Sequence, residues 1–139
     1  MGFNYEDRVF IDVGCGLGKA CFSAIDFKFK HIRGFDFDDK LITGAKLNLS
    51  EVKKKLKIDI DFQPGDAAEV ILAPEKMFIF MFNPFDDVVM RKFLNNNLQS
   101  LTGKCVLGYA NDRQKDVLRE FGFQQIYQSP ERKLSLWKI

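Results

Sequence analysis

Residues Val9 to Lys19, V-F-I-D-V-G-C-G-L-G-K, place an apolar run directly before three glycines at alternate positions. The run reads as a strand, and Gly14, Gly16 and Gly18 behind it can take positive φ where the chain turns sharply into a helix. Bare backbone at such a turn sits against a ligand with no side chain between them. Spacing narrows the ligand class. A dinucleotide fingerprint, G-x-G-x-x-G, counted from Gly14 needs glycine where Lys19 stands, and a phosphate loop, G-x-x-x-x-G-K-[ST], needs glycine at Val13 and a hydroxyl at Ala20. Neither is satisfied. The pattern that remains is D-x-G-x-G-x-G from Asp12, a glycine-rich turn with an acid ahead of it rather than a pyrophosphate cradle.

Further along, apolar runs alternate with helix-like stretches. The predicted strands are Val9 to Val13, His31 to Asp36, Ile58 to Gln63, Met77 to Phe82, Lys104 to Ala110, Phe123 to Gln128 and Lys133 to Ile139, with helices between the first six. Among those helices are Ala20 to Phe29, Ala67 to Leu72 and Val88 to Leu98. Met77 to Phe82, M-F-I-F-M-F, is apolar without alternation, which predicts a strand covered on both faces. Only Ser129 to Arg132 separates the last two strands, too short for a crossover helix, so they must be antiparallel. Gly122, between Phe121 and Phe123, is placed to end the helix before them. The reading is α/β, a doubly wound sheet in three layers.

D-x-G-x-G-x-G resembles motif I of the class I S-adenosylmethionine-dependent methyltransferases, and the resemblance extends over nearly the whole chain. It implies a seven-stranded sheet of order 3-2-1-4-5-7-6 with strand 7 antiparallel. It implies that Asp12 helps hold the methionine amine, and that Gly14, Cys15, Gly16 and Gly18 offer backbone to the cofactor. The second strand ends in Asp36, beside Phe37, about 20 residues beyond the glycines, where an acid can accept hydrogen bonds from both ribose hydroxyls. Asp38 and Asp39 fall where a helix begins and read as caps. In P-G-D-A, Asp66 and Ala67 stand where the family meets the adenine; a cap for the helix Ala67 to Leu72 is an equal reading of Asp66.

The segment Asn83-Pro84-Phe85-Asp86-Asp87 resembles the [DNS]-P-P-[YFW] loop of amino-group methyltransferases, with one proline fewer and the aromatic one place early. A nearer likeness is to small bacterial methyltransferases with an N-P-F-[DE] segment. The resemblance gives Asn83, Pro84 and Phe85 the catalytic loop, Asn83 orienting the acceptor and Phe85 packing against it, and leaves the acceptor open, an amine being one option. Asp86 is a further candidate proton acceptor. A proline turn in which Asp86 and Asp87 cap the next helix is the alternative.

With 139 residues, 46% of them hydrophobic, the chain can bury one core, so 1–139 is expected to be a single domain. Its 15 phenylalanines read as packing before stacking platforms. No apolar run reaches the roughly 18 residues of a membrane span, and neither a signal peptide nor a myristoylation pattern opens the chain, so the expected setting is cytoplasmic. Cys15, Cys21 and Cys105 lack C-x-x-C spacing and His31, the one histidine, reads as a surface residue, so no metal site is indicated. Cys15 lies near a helix N-terminus, which could lower its pKa, yet a reactive role is not expected. A net charge of +2 does not argue for nucleic acid. Lys53, Lys54, Lys55 and Lys57 cluster where a helix ends, opposite the ligand edge, and read as a solvated helix end.

Motif I begins close to Met1, whereas members of the resembled family usually carry N-terminal helices that lid the cofactor. The cleft is therefore expected to be open. A large acceptor, a second copy or partner subunit, or the rest of a longer protein would cover it. Two functions follow: a methyltransferase using S-adenosylmethionine, with S-adenosylhomocysteine as product, or a silent binding or regulatory module of the same fold. A nicotinamide oxidoreductase is remote, since the third glycine is missing.

Overall fold

The computed structural model describes residues 4–55, 57, 59–82 and 85–139. Seven strands form one sheet: β1 (Val9–Val13), β2 (His31–Asp36), β3 (Ile60–Pro64), β4 (Met77–Phe82), β5 (Cys105–Ala110), β6 (Gln124–Ser129) and β7 (Leu134–Lys138). Their order is β3-β2-β1-β4-β5-β7-β6, as expected. The first five run parallel, and β7 is antiparallel to both β5 and β6. The helices are α1 (Lys19–Ala24), α2 (Asp39–Lys53), α3 (Asp87–Leu101) and α4 (Lys115–Glu120). Among the described residues no helix is long and apolar enough to cross a membrane.

The sheet separates two cores. On one face, Ile11, Ile79, Met81, Leu107, Tyr109 and Trp137 pack under α3 and α4, which contribute Met90, Phe93, Leu94 and Leu118. The buried Trp137 indole donates to Ser135 Oγ at 2.8 Å, so its one polar atom is satisfied. On the other face, α1 and α2 supply Cys21, Ala24, Ile42, Ala45 and Leu49 against Phe10, Ile32, Ile60 and Phe62. Aspartates start the two long helices. Asp38 accepts from Lys40 N at 2.9 Å, and Asp86 accepts from Val89 N at 3.0 Å, each satisfying an N–H that the helix cannot.

Four expectations need correction. The helix expected over Ala67 to Leu72 is a single turn at 67–69, because neighbours from α3 take the backbone groups a helix would use. Buried Asn97 accepts from Leu72 N at 2.7 Å and donates to Val70 O at 2.9 Å, while Asn96 donates to Ala68 O at 2.8 Å. The helix expected over Ala20 to Phe29 is α1 followed by a 3-10 turn, Ile25–Phe27, which Lys28 ends in the left-handed region at φ 55°. The third strand covers Ile60–Pro64, and Ile58, its expected start, lies outside the described residues. Finally, β4 is covered on one face only. Met77, Ile79 and Met81 are fully buried, whereas Phe78 and Phe80 are half-buried and Phe82 is 66% exposed. The helices of their face, α1 and α2, lie over β1, β2 and β3.

Candidate functional site

The glycine turn leaves β1 with Gly14, Gly16 and Gly18 at φ 77°, 55° and 92°, the left-handed region that a side chain disfavours. Gly14 N and Cys15 N both donate to Phe35 O at 2.9 Å, so the turn is tied to the neighbouring strand. At Gly18 a Cβ would stand 2.6 Å from the Phe62 ring, which also excludes any larger residue.

Asp36 lies beside this turn and is only 8% exposed. Its carboxylate accepts from Gly16 N and from Asp38 N, both at 3.0 Å, and its own carbonyl accepts from Gly65 N at 2.9 Å. One residue, through its side chain and its carbonyl, therefore fixes the ends of β1, β2 and β3 relative to one another. A carboxylate offers about four acceptor sites. Two are used internally and the others are free to accept.

Asp36 opens into a cavity of about 360 Å³ with Gly14, Phe37, Asp66, Ala67 and Phe85 around it. Phe37 stands at its rim, 81% exposed. The Asp66 carboxylate accepts from Ala68 N at 2.9 Å, so it caps the 67–69 turn, and the residue also lines the cavity. Phe85 packs on Phe93 with ring centroids 6.5 Å apart. The structure thus puts Phe85 beside the Asp36 group, whereas the sequence assigned it to the acceptor. Asn83 and Pro84 lie outside the described residues.

Gly14 also borders a second, larger cavity of about 740 Å³ that contains Asp12, Cys15, Lys19 and a series of phenylalanines. Asp12 is 4% exposed and its carboxylate has no hydrogen-bond partner among the described residues. Burial, and after it the negative charge of Asp36, push its pKa up to about 7. The glycine turn thus separates an acid anchored by two backbone N–H groups from one with no hydrogen-bond partner among the described residues. Cys15 is pushed up to about 12, first by burial and then by Asp12 and Asp36, which overturns the lowered value that its helix-end position suggested. The thiol is inert at neutral pH.

The larger cavity is what sequence reasoning missed. Its signal is the period-2 set Phe78, Phe80, Phe82 on one face of β4, which sequence alone does not distinguish from core because the opposite set is equally apolar. No group of three or more His, Cys, Asp or Glu side chains that could hold a metal occurs among the described residues. The lysine cluster is partly neutralised: Lys53 lies 3.6 Å from Asp59 and Lys54 3.0 Å from Glu51.

A methyltransferase-domain family model matches residues 5–124. Among solved structures, the glycopeptide N-methyltransferase MtfA, complexed with S-adenosyl-L-homocysteine, superposes with a TM-score of 0.73 at 14% identity, over 98% of this chain and 84% of that one. A SAM-dependent methyltransferase from Aquifex aeolicus gives 0.70 at 12% identity, over 96% and 82%. The PH0226 protein from Pyrococcus horikoshii gives 0.70 at 13% identity, over 94% and 82%. At such identities these likenesses speak to the fold.

Proposed function

The chain belongs to the methyltransferase-domain family, and from that premise we propose that it is an S-adenosylmethionine-dependent methyltransferase whose smaller cavity takes the adenosine. The observation that carries this reading is Asp36, pinned by Gly16 N and Asp38 N with acceptor capacity left over and facing a cavity that a bare glycine turn borders. Two adjacent ribose hydroxyls match that spare capacity. Asp66 and the backbone at Ala67 border the same cavity where an adenine edge would lie, and Phe37 and Phe85 offer ring surface to the base.

The unpartnered carboxyl of Asp12 suits a cationic amine, and an ammonium there would draw its pKa down and hold it ionised. The cofactor supplies an electrophilic methyl group on a sulfonium. The chain's part is to hold an acceptor lone pair in line with that methyl, and alignment of this sort accounts for up to roughly 7–11 kcal/mol of barrier lowering. Asn83, by resemblance, orients the acceptor. The carboxylate of Asp86 is engaged in capping α3, so a proton acceptor is not assigned to it.

Calorimetry with S-adenosylhomocysteine on the wild type and Asp36→Ala tests the reading. The expected result is binding by the wild type and a loss of about 100-fold in the variant, as charge-assisted hydrogen bonds of ~1.5–3 kcal/mol disappear. Binding by neither protein rejects it. Transfer of labelled methyl from S-adenosylmethionine into an acceptor library then separates an enzyme from a silent module.

A further inference from the structure

We propose that the groove on the bare face of β4 binds the flat, aromatic body of the methyl acceptor, with the acceptor's nucleophilic atom at the Gly14 end; this rests on the cofactor reading above. The groove has a floor built in rungs. Phe10 pairs across the strands with Phe78, and Asp12 with Phe80; Gly14 and Phe82 come one residue beyond the last paired residues, Val13 and Met81. From the first rung to the third is about 13 Å at strand rise, the length of a molecule of two or three rings lying along the β4 side, with the Asp12 side of the middle rung left to the cofactor's amine. Along it the surface changes from wholly apolar, through one carboxyl, to bare backbone.

The floor is a continuous aromatic surface. Phe10 lies 6.0 Å from Phe78 and 6.4 Å from Phe80, with planes within 10° and 20°, and Phe29 closes on Phe10 at 5.1 Å. Phe78 in turn covers Gly108, where a Cβ would come within 3.1 Å of the ring, so the floor extends onto β5 without a gap. Ala20, Ser23 and Ala24 of α1 form one wall and Leu136 of β7 the other. A cavity of about 740 Å³ is within the 300–1,000 Å³ of small-molecule sites, and mostly apolar walls with a few polar groups at one end are their usual make-up.

Scattered exposed phenylalanines would carry no such meaning. Here they are contiguous, concave and open toward Gly14, the one glycine that borders both cavities. A cofactor lying from Asp36 past Gly14 brings its methyl to the polar end of the groove and leaves the phenyl floor for something else. In the transfer, the acceptor lone pair forms the new bond to the methyl carbon as the carbon–sulfur bond breaks. Sulfur keeps that electron pair as a neutral thioether, and the acceptor's surplus proton passes to water.

The probe is N-phenyl-1-naphthylamine, which brightens in apolar surroundings. It is expected to bind the wild type with a Kd on the order of 10 μM. Ser23→Trp, which fills the groove from the surface of α1, and Phe27→Glu, which puts a charge at its exposed rim, should each weaken it about tenfold or more. Both positions are exposed, so folding is preserved and thermal melting verifies it. Affinity for S-adenosylhomocysteine, measured alongside, should not change in either variant. Absence of probe binding, or equal binding by wild type and both variants, overturns the groove while leaving the cofactor reading intact. Probe binding lost in the variants, in a protein that does not bind S-adenosylhomocysteine, keeps the groove as a ligand site and overturns its assignment to an acceptor. A wild-type dimer that both variants dissociate, seen by light scattering, assigns the face to a second copy and overturns the proposal.

Discussion

The two cavities that meet at Gly14 are built by opposite means. Around the smaller one, two backbone N–H groups meet the Asp36 carboxylate and a third, from Gly65, meets its carbonyl, so its walls are set before any ligand arrives. The larger one is floored by rings stacked on one another, and its one buried acid has no hydrogen-bond partner among the described residues. The difference separates recognition of one fixed ligand from tolerance of several. Hydrogen bonds specify shape and polarity together, whereas a phenyl floor accepts any flat apolar body of suitable size.

The largest effect that sharpens this contrast is one of pH. Asp12 titrates near 7 when folded, above a carboxylate's usual value near 4. Between those values the folded chain keeps a proton that the unfolded chain has released, so stability falls as pH rises through the window and levels off above 7. On the order of 2 kcal/mol should be lost between pH 5 and pH 7 in urea unfolding, and Asp12→Asn should flatten the slope. S-adenosylhomocysteine affinity should move the other way, rising over the same interval, if its amine needs the ionised acid. A smaller effect is expected at Phe85. Phe85→Ala, which removes a ring from the Asp36 cavity, should lower both stability and affinity by about 1 kcal/mol while probe binding in the groove stays as it was. The smallest belongs to Phe37. Its ring is solvent-facing, so Phe37→Ala should leave the melting temperature unchanged and weaken S-adenosylhomocysteine only about threefold. A Phe37→Ala protein with altered probe binding would show that the two cavities are not separate.

Most of the frame was legible because its signals are local. The strand before Gly14, the acid closing β2 and the short link Ser129 to Arg132 each determine geometry through neighbouring residues. Asp36 could be placed for that reason. The segment 67–72 could not, since its conformation is decided by Asn96 and Asn97, 25 to 28 residues away along the chain, and an alanine pair looks helical until those amides are seen. The bare face of β4 was hidden by composition. Methionine and isoleucine on one side and phenylalanine on the other are all apolar, and nothing in a strand's own sequence tells which face lacks a helix above it.

Asn97 also has a consequence for motion. It donates to Phe93 O within its own helix and, at the same time, to Val70 O, while accepting from Leu72 N. The segment that follows the Asp66–Ala67 wall of the Asp36 cavity is thereby suspended from a helical buttress and borrows its rigidity. In hydrogen–deuterium exchange, the Leu72 amide should open together with the middle of α3 rather than with the surface turn that precedes it, so this segment loosens only when the helix itself unravels.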